Sequence, residues 1–234
     1  MPLKKIHAVV ITLALSLAFL CFFFGDVIIH PNSYFFNPGG DGLKNYFTSF
    51  YYLTYDHGTH FSGMNYPFGE HITFTDGQPS LMMLLNFIDN HFFSIHQYAV
   101  GIMNELMLFS LVICAVVILF ILRFYGVKNF YSCLFAVGIA FMSPQLDRLL
   151  GHYALSYSFV FPLLWYWFLK LQQEKKRWLW TSLIILCGAF FGMIHLYLLM
   201  IATMFFLVYT LLKILFSKKE KKNFVQFVFN LSVT

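Results

Sequence analysis

Charge is scarce in this chain. Asp, Glu, Lys and Arg make up 11% of its 234 residues and hydrophobic residues 59%, where average soluble domains hold about 25% and roughly 45–50%. So few charges cannot cover a water-facing surface, which excludes an ordinary soluble domain. Cysteine is equally sparse. Cys21, Cys114, Cys133 and Cys187 all fall in apolar runs, outside the one long polar stretch where an oxidising compartment could pair them. They read as small packing residues rather than a disulfide framework. There is no Gly-rich phosphate loop, no paired-Cys motif and no Gly-x-Ser-x-Gly elbow, so the usual signatures of nucleotide binding, structural zinc and serine hydrolysis do not apply. The formal net charge of +5 sits in short tracts between apolar runs. Such tracts orient a protein in a bilayer and give no reason to expect nucleic acid.

What is present is apolar length. Runs cover Ile6 to Phe24, Tyr98 to Leu122, Phe130 to Leu146 and Tyr153 to Leu169, and an unbroken stretch extends from Trp178 to Phe216. One crossing needs about 20 residues, so the last stretch is a helical hairpin turning near Gly192 to Tyr197. Six spans are expected, near 6–24, 98–122, 130–146, 153–169, 178–194 and 197–216. The first run is longer than a signal-peptide core and no small-x-small cleavage site follows it, so it is an uncleaved span. Of the 15 basic residues only Lys44 and Arg148 lie outside the tracts before span one and after spans two, four and six. By the positive-inside rule the N-terminus is then cytoplasmic and the 25–97 loop faces outward. The fold class is all-α polytopic, with about six transmembrane helices and a large outer loop carrying interfacial helices after the first span. From Phe224 to Thr234 another apolar segment begins and stops short of a crossing, as expected of an N-terminal fragment.

Function, where it is readable, lies in the loop. Asn37-Pro-Gly-Gly-Asp-Gly-Leu-Lys-Asn45 brings Asp41 to a glycine-rich bend just beyond the first span. Leu43, Tyr46, Phe47, Phe50 and Tyr51 then recur at helical spacing, which predicts an amphipathic helix on the membrane surface with Asp41 ahead of its first turn. Asp41 is either a helix N-cap, worth roughly 0.5–2 kcal/mol, or a base held at the water interface. Turn-rich clusters around Pro67 and Gly69, and around Gly77 and Pro79, can bring Glu70, His71 and Asp76 toward one place; Asn, Asp, Gly and Pro are also simply what turns are made of. His57 and His60 beside Asp56 invite zinc, but Gly58 and Thr59 interrupt the helix and no third ligand stands at a recognised spacing. In the second outer loop, Asp147, Arg148 and His152 reach the bilayer edge. Arg148 there pairs with Asp147, snorkels to headgroups, or binds an anion such as a lipid phosphate.

These residues together resemble the GT-C superfamily of polytopic glycosyltransferases. The likeness rests on the Asp soon after the first span, the aromatic interfacial helix, the Tyr66-Pro67-Phe68-Gly69 turn, and Gly151-His152 ahead of a span with an early Pro162. It covers roughly Ile6 to Phe216. The resemblance implies an enzyme of a bacterial inner (plasma) membrane, taking a sugar from a polyprenyl-phosphate donor at the outer face with inversion, Asp41 being the first-loop carboxylate that serves as general base or helps hold a divalent metal. The paired acidic motif of that superfamily is not evident. On this reading Lys44 or Arg148 meets the donor phosphate, Glu70, His71, Asp76 and His152 are further substrate contacts, and the aromatic helix holds the isoprenoid chain. Rival readings are a flippase or transporter of lipid-linked intermediates and a non-catalytic assembly protein; the span interiors lack Asp, Lys and Arg, which counts against transport.

Overall fold

The computed structural model describes residues 5–75, 77–173 and 175–216. The apolar start at Phe224, and Asp76, lie outside the described residues. Eight α-helices follow one another as α1 (Lys5–Ile29), α2 (Gly40–Tyr55), α3 (Pro79–His91), α4 (Ala99–Phe124), α5 (Asn129–Phe141), α6 (Val160–Gln173), α7 (Arg177–Ile194) and α8 (Leu196–Phe216). Two-residue strands β1 (His60–Phe61) and β2 (Glu70–His71) pair antiparallel between α2 and α3. Among the described residues, six helical segments are long and apolar enough to cross a membrane, and each contains a span expected from the sequence. The protein is an all-α polytopic membrane protein.

Three boundaries differ from expectation. The first helix does not stop at Phe24: it breaks there (φ −128°, ψ 23°) and resumes to Ile29, so the connecting loop begins five residues later than expected. The third and fourth spans are only partly α-helical. α5 has 13 residues and α6 has 14, each about 20 Å long against a hydrocarbon core of about 30 Å. Between them the chain runs through 3-10 turns at Pro144–Leu150 and Tyr153–Leu155. Pro162 sits in the first turn of α6, where its missing N–H is not needed, which accounts for a helix that starts at Val160.

Apart from the exposed His152, the irregular 151–159 stretch is mostly buried in protein. Ser110, roughly 16 Å along α4, has its Oγ 3.4 Å from the Ser156 carbonyl and 3.4 Å from Ser158 Oγ. Irregular backbone at membrane depth is tolerated when protein groups satisfy it. α4 is therefore the hub: α1, α2, α5 and α6 all pack on it. α1 packs on α4 and α5 and buries an i, i+4 row of mostly small residues, Ala8, Thr12, Ser16 and Leu20, of the kind that lets backbones approach closely.

Asn104 ties the loop to this hub. Its Nδ2 donates to the carbonyls of Pro31 and Tyr34, both at 2.8 Å, and its Oδ1 accepts from the Tyr46 hydroxyl at 2.5 Å. Burial pushes the Tyr46 phenol well above its ordinary range, so it stays a neutral donor. This turns Tyr46 inward, a correction to the single apolar face expected for α2: Leu43, Phe47 and Phe50 form an exposed stripe, while Tyr46, Asn45, Ser49 and Tyr52 face protein.

Lys5, Lys170 and Lys213 gather at one end. Lys5 Nζ lies 5.6 Å from the Phe120 ring, Phe120 lies 5.7 Å from Tyr166, Lys170 Nζ lies 5.7 Å from Tyr166, and Lys213 Nζ donates to Gln172 at 3.0 Å.

Replacing Asn104 by Leu is expected to strand two carbonyls and a phenol. At roughly 1–3 kcal/mol for a buried group left unsatisfied and about 2–4 °C per kcal/mol, the thermal midpoint in lipid nanodiscs falls by several degrees. An unchanged midpoint contradicts the role given to Asn104.

Candidate functional site

At the end opposite Lys5, Lys170 and Lys213, three separate stretches of chain meet. Asp41 comes from the first turn of α2, Arg148 and His152 from the segment between α5 and α6, and His195 and Tyr197 from the turn between α7 and α8. Together with Asn45 and Tyr153 to Leu155 they line a cavity of about 330 Å³, inside the range of roughly 300–1,000 Å³ usual for ligand sites.

Asp41 does not cap its helix. The cap is Gly39, which makes no side-chain bond, and Asp41 stands within the first turn. This corrects the N-cap reading: the carboxylate benefits from the positive helix end without being spent on a backbone N–H. Its Oδ2 lies 4.0 Å from His152 Nδ1, and both side chains are 59% exposed. Gly40 adopts φ 52°, in the left-handed region that a glycine tolerates best.

The junction is made by Asn37 and Tyr153, neither of which stood out in the sequence as a site residue. The Asn37 backbone N–H donates to Tyr153 Oη at 3.0 Å, its Nδ2 donates to the Leu150 carbonyl, and its Oδ1 accepts from the Gly39 N–H at 3.1 Å. One side chain thus clamps the Asp41 bend to the Gly151-His152 segment. Gly42 completes the fit, since a Cβ there would stand 2.7 Å from both Asn37 Cβ and its carbonyl oxygen and 2.8 Å from Tyr153 Oη. Tyr153 also packs on Tyr46, with ring centroids 4.8 Å apart, which links the cavity floor to Asn104.

Two further lining residues went unassigned in the sequence. Asn45 is 4% exposed; its Nδ2 donates to the Asp41 carbonyl at 2.8 Å, and its buried Oδ1 has no partner among the described residues. His195 Nδ1 accepts from the Tyr197 N–H at 3.3 Å, a bond that puts the ring proton on Nε2. His195 falls in the turn expected near Gly192 to Tyr197, where nothing in the sequence assigned it a role.

Other expected site residues do not join this cavity. Glu70 and His71 lie on β2, paired with Phe61 and His60, and His71 Nδ1 is 2.8 Å from Thr73 Oγ1. They shape a loop apart from Asp41. Lys44 is half-buried one turn further along α2 and is not among the lining residues. Asp56 accepts from Ser62 N–H and Oγ, both at 2.8 Å, while His57 and His60 lie beyond the end of α2 and do not share a helix face. Among the described residues no three His, Cys, Asp or Glu side chains come together as metal ligands. The donors at the cavity, Asp41 with one imidazole 4.0 Å away, do not compose a divalent-metal site, and no step below runs through one.

Fold and site together define a polytopic helical membrane protein whose loops close on a carboxylate, a guanidinium and two imidazoles at one end. Residues 13–234 match the family described as Domain of unknown function (DUF6311), and the chain belongs to that family. No curated protein and no solved structure matches it.

The clamp predicts a sensitivity at Gly42. With the four native cysteines replaced by alanine, the pair Asp41→Cys and His152→Cys is expected to crosslink efficiently with a short bifunctional reagent, and several-fold less well once Gly42→Ala is added. Equal yields contradict the packing described.

Proposed function

We propose that the protein is a membrane glycosyltransferase moving a sugar from a polyprenyl-phosphate donor to an acceptor hydroxyl at the outer face of a bacterial plasma membrane. The observation that carries this reading is the meeting of Asp41, Arg148, His152 and His195 in one cavity at the end away from the basic tracts. By the charge rule that end is extracytoplasmic and the N-terminus cytoplasmic.

A sugar hydroxyl is a poor nucleophile. Asp41 takes its proton as the oxygen attacks the anomeric carbon; the bond from that carbon to the phosphate oxygen breaks, and the polyprenyl phosphate leaves with the electron pair. General-base assistance of this kind is typically worth 10²–10⁴-fold. Arg148 meets the departing phosphate charge, where a fixed guanidinium suits phosphate geometry. His195 lines the same cavity, and His152 keeps the Asp41 carboxylate company as a hydrogen-bond partner for the acceptor. The exposed Leu43, Phe47 and Phe50 stripe of α2 offers the isoprenoid chain an apolar track at the membrane surface.

Movement of the lipid-linked intermediate itself is a second reading, favoured by the non-helical 151–159 segment at membrane depth, since transporters commonly use broken helices there. In this chain that backbone is satisfied by α4, and Tyr157, on the same segment, donates its hydroxyl to Gln78.

Asp41→Asn keeps the shape and removes the base. Sugar transfer from polyprenyl-phosphate donors in membrane vesicles, and the matching surface glycan, are expected to fall by about 10²–10⁴-fold, with Arg148→Gln impaired as well. Unchanged glycan at normal expression of Asp41→Asn overturns the assignment. Loss of lipid translocation in the same variant supports transport instead.

A further inference from the structure

A second, larger cavity of about 640 Å³ lies at the far end of α2, between its last turn, the Asp56–Gly58 bend and one face of α3. Two exposed aromatic rings border it, Tyr55 at 65% and Phe87 at 51% exposure. Tyr55 does not belong to the lipid-facing stripe. At about 100° per residue, Leu43, Phe47, Phe50 and Thr54 share one side of α2, and Tyr55 is turned by nearly a third of a revolution away from them. Phe87 is braced by His91, stacked at 4.3 Å, and the last turn of α2 is held by the Tyr52 hydroxyl donating to the Gly58 carbonyl at 2.6 Å.

The polar groups beside these rings favour an uncharged ligand. Asp56 is committed to Ser62. Asp89 accepts from the N–H groups of Ile95 and His96; burial alone would raise its pKa, but these donors and the His96 ring hold it below the ordinary carboxylate value. A carboxylate engaged in this way keeps spare lone pairs for hydroxyl donors, while its charge is already answered by N–H groups. Aromatic faces next to a carboxamide, an imidazole and such lone pairs complement a molecule with an apolar C–H face and a rim of hydroxyls.

We propose that this cleft binds a neutral saccharide, its apolar face against Tyr55 and Phe87 and its hydroxyls toward His57, the Asn90 carboxamide oxygen and the spare lone pairs of Asp56. Tyr55 stands about 21 Å from Asp41 along the α2 axis. On the glycosyl-transfer reading, and resting on it, the cleft holds the acceptor chain at a distance from its reacting end; saccharide binding itself does not depend on that reading.

The test is saturation-transfer NMR on the full chain in nanodiscs, using neutral tetrasaccharides of glucose, galactose, mannose and N-acetylglucosamine, with choline as the cationic comparison. At least one saccharide is expected to bind, with affinity at least tenfold weaker in Tyr55→Ala and in Phe87→Ala and retained in Tyr55→Phe and Asp41→Asn. Both rings are exposed, so the alanine variants are expected to match the wild-type thermal midpoint. No binding across the panel, equal binding in the alanine variants, or binding of choline alone overturns the proposal. Saccharide binding by a protein that transfers no sugar would sink the enzyme reading and leave the cleft standing.

Discussion

The hydrogen bonds of Asn104 set the geometry on which the rest depends. A carboxamide six residues into a membrane helix must find partners, and it finds them in the chain leaving α1 and in Tyr46 of α2. Those contacts decide where the loop turns back over the bundle and which way α2 is rotated. With Tyr46 turned inward, Leu43, Phe47 and Phe50 can only face outward. The first turn of α2 then falls beside Tyr153, where Asn37 joins it to the segment between α5 and α6. Asp41 is positioned by a relay of buried polar contacts that begins at α4.

The same logic explains two short helices. A continuous α5 and α6 would span the bilayer without leaving room for a floor beneath Asp41. By ending α5 at Phe141 and starting α6 at Val160, the chain lowers an irregular segment onto α4 and places Tyr153, Ala154 and Leu155 under the cavity. Ser110 supplies the polar contacts that make such backbone tolerable at depth. A hairpin turn of a single extended residue, His195 (φ −156°, ψ 124°), closes the third side.

Much of this was legible in the sequence, for identifiable reasons. Hydropathy reports burial in lipid, so the six spans and the hairpin turn near His195 could be read directly. Arg148 stood out because it breaks the charge rule, and it lines the Asp41 cavity. Glu70 and His71 were attractive only as turn residues, and turn chemistry says nothing about where a turn points; they lie on β2, away from Asp41. The residues that build the site were invisible because their work is done at long range: Asn37 meets Tyr153 across 116 residues and Asn104 meets Tyr34 across 70. Hydropathy averaged over a window also hides the difference between an apolar helix and an apolar coil, which is why the ends of the third and fourth spans were read as helical.

The central claim is that three loops meet at one water-facing end, opposite the basic tracts. Single cysteines replacing Asp41, Arg148 and His195, set against cysteines replacing Lys175 and Lys213, can be probed with a membrane-impermeant maleimide in intact cells and again after permeabilisation. The account predicts labelling of the first three in intact cells and of the last two only once the membrane is opened. Labelling of any cavity position from the side of Lys175 and Lys213 would contradict it.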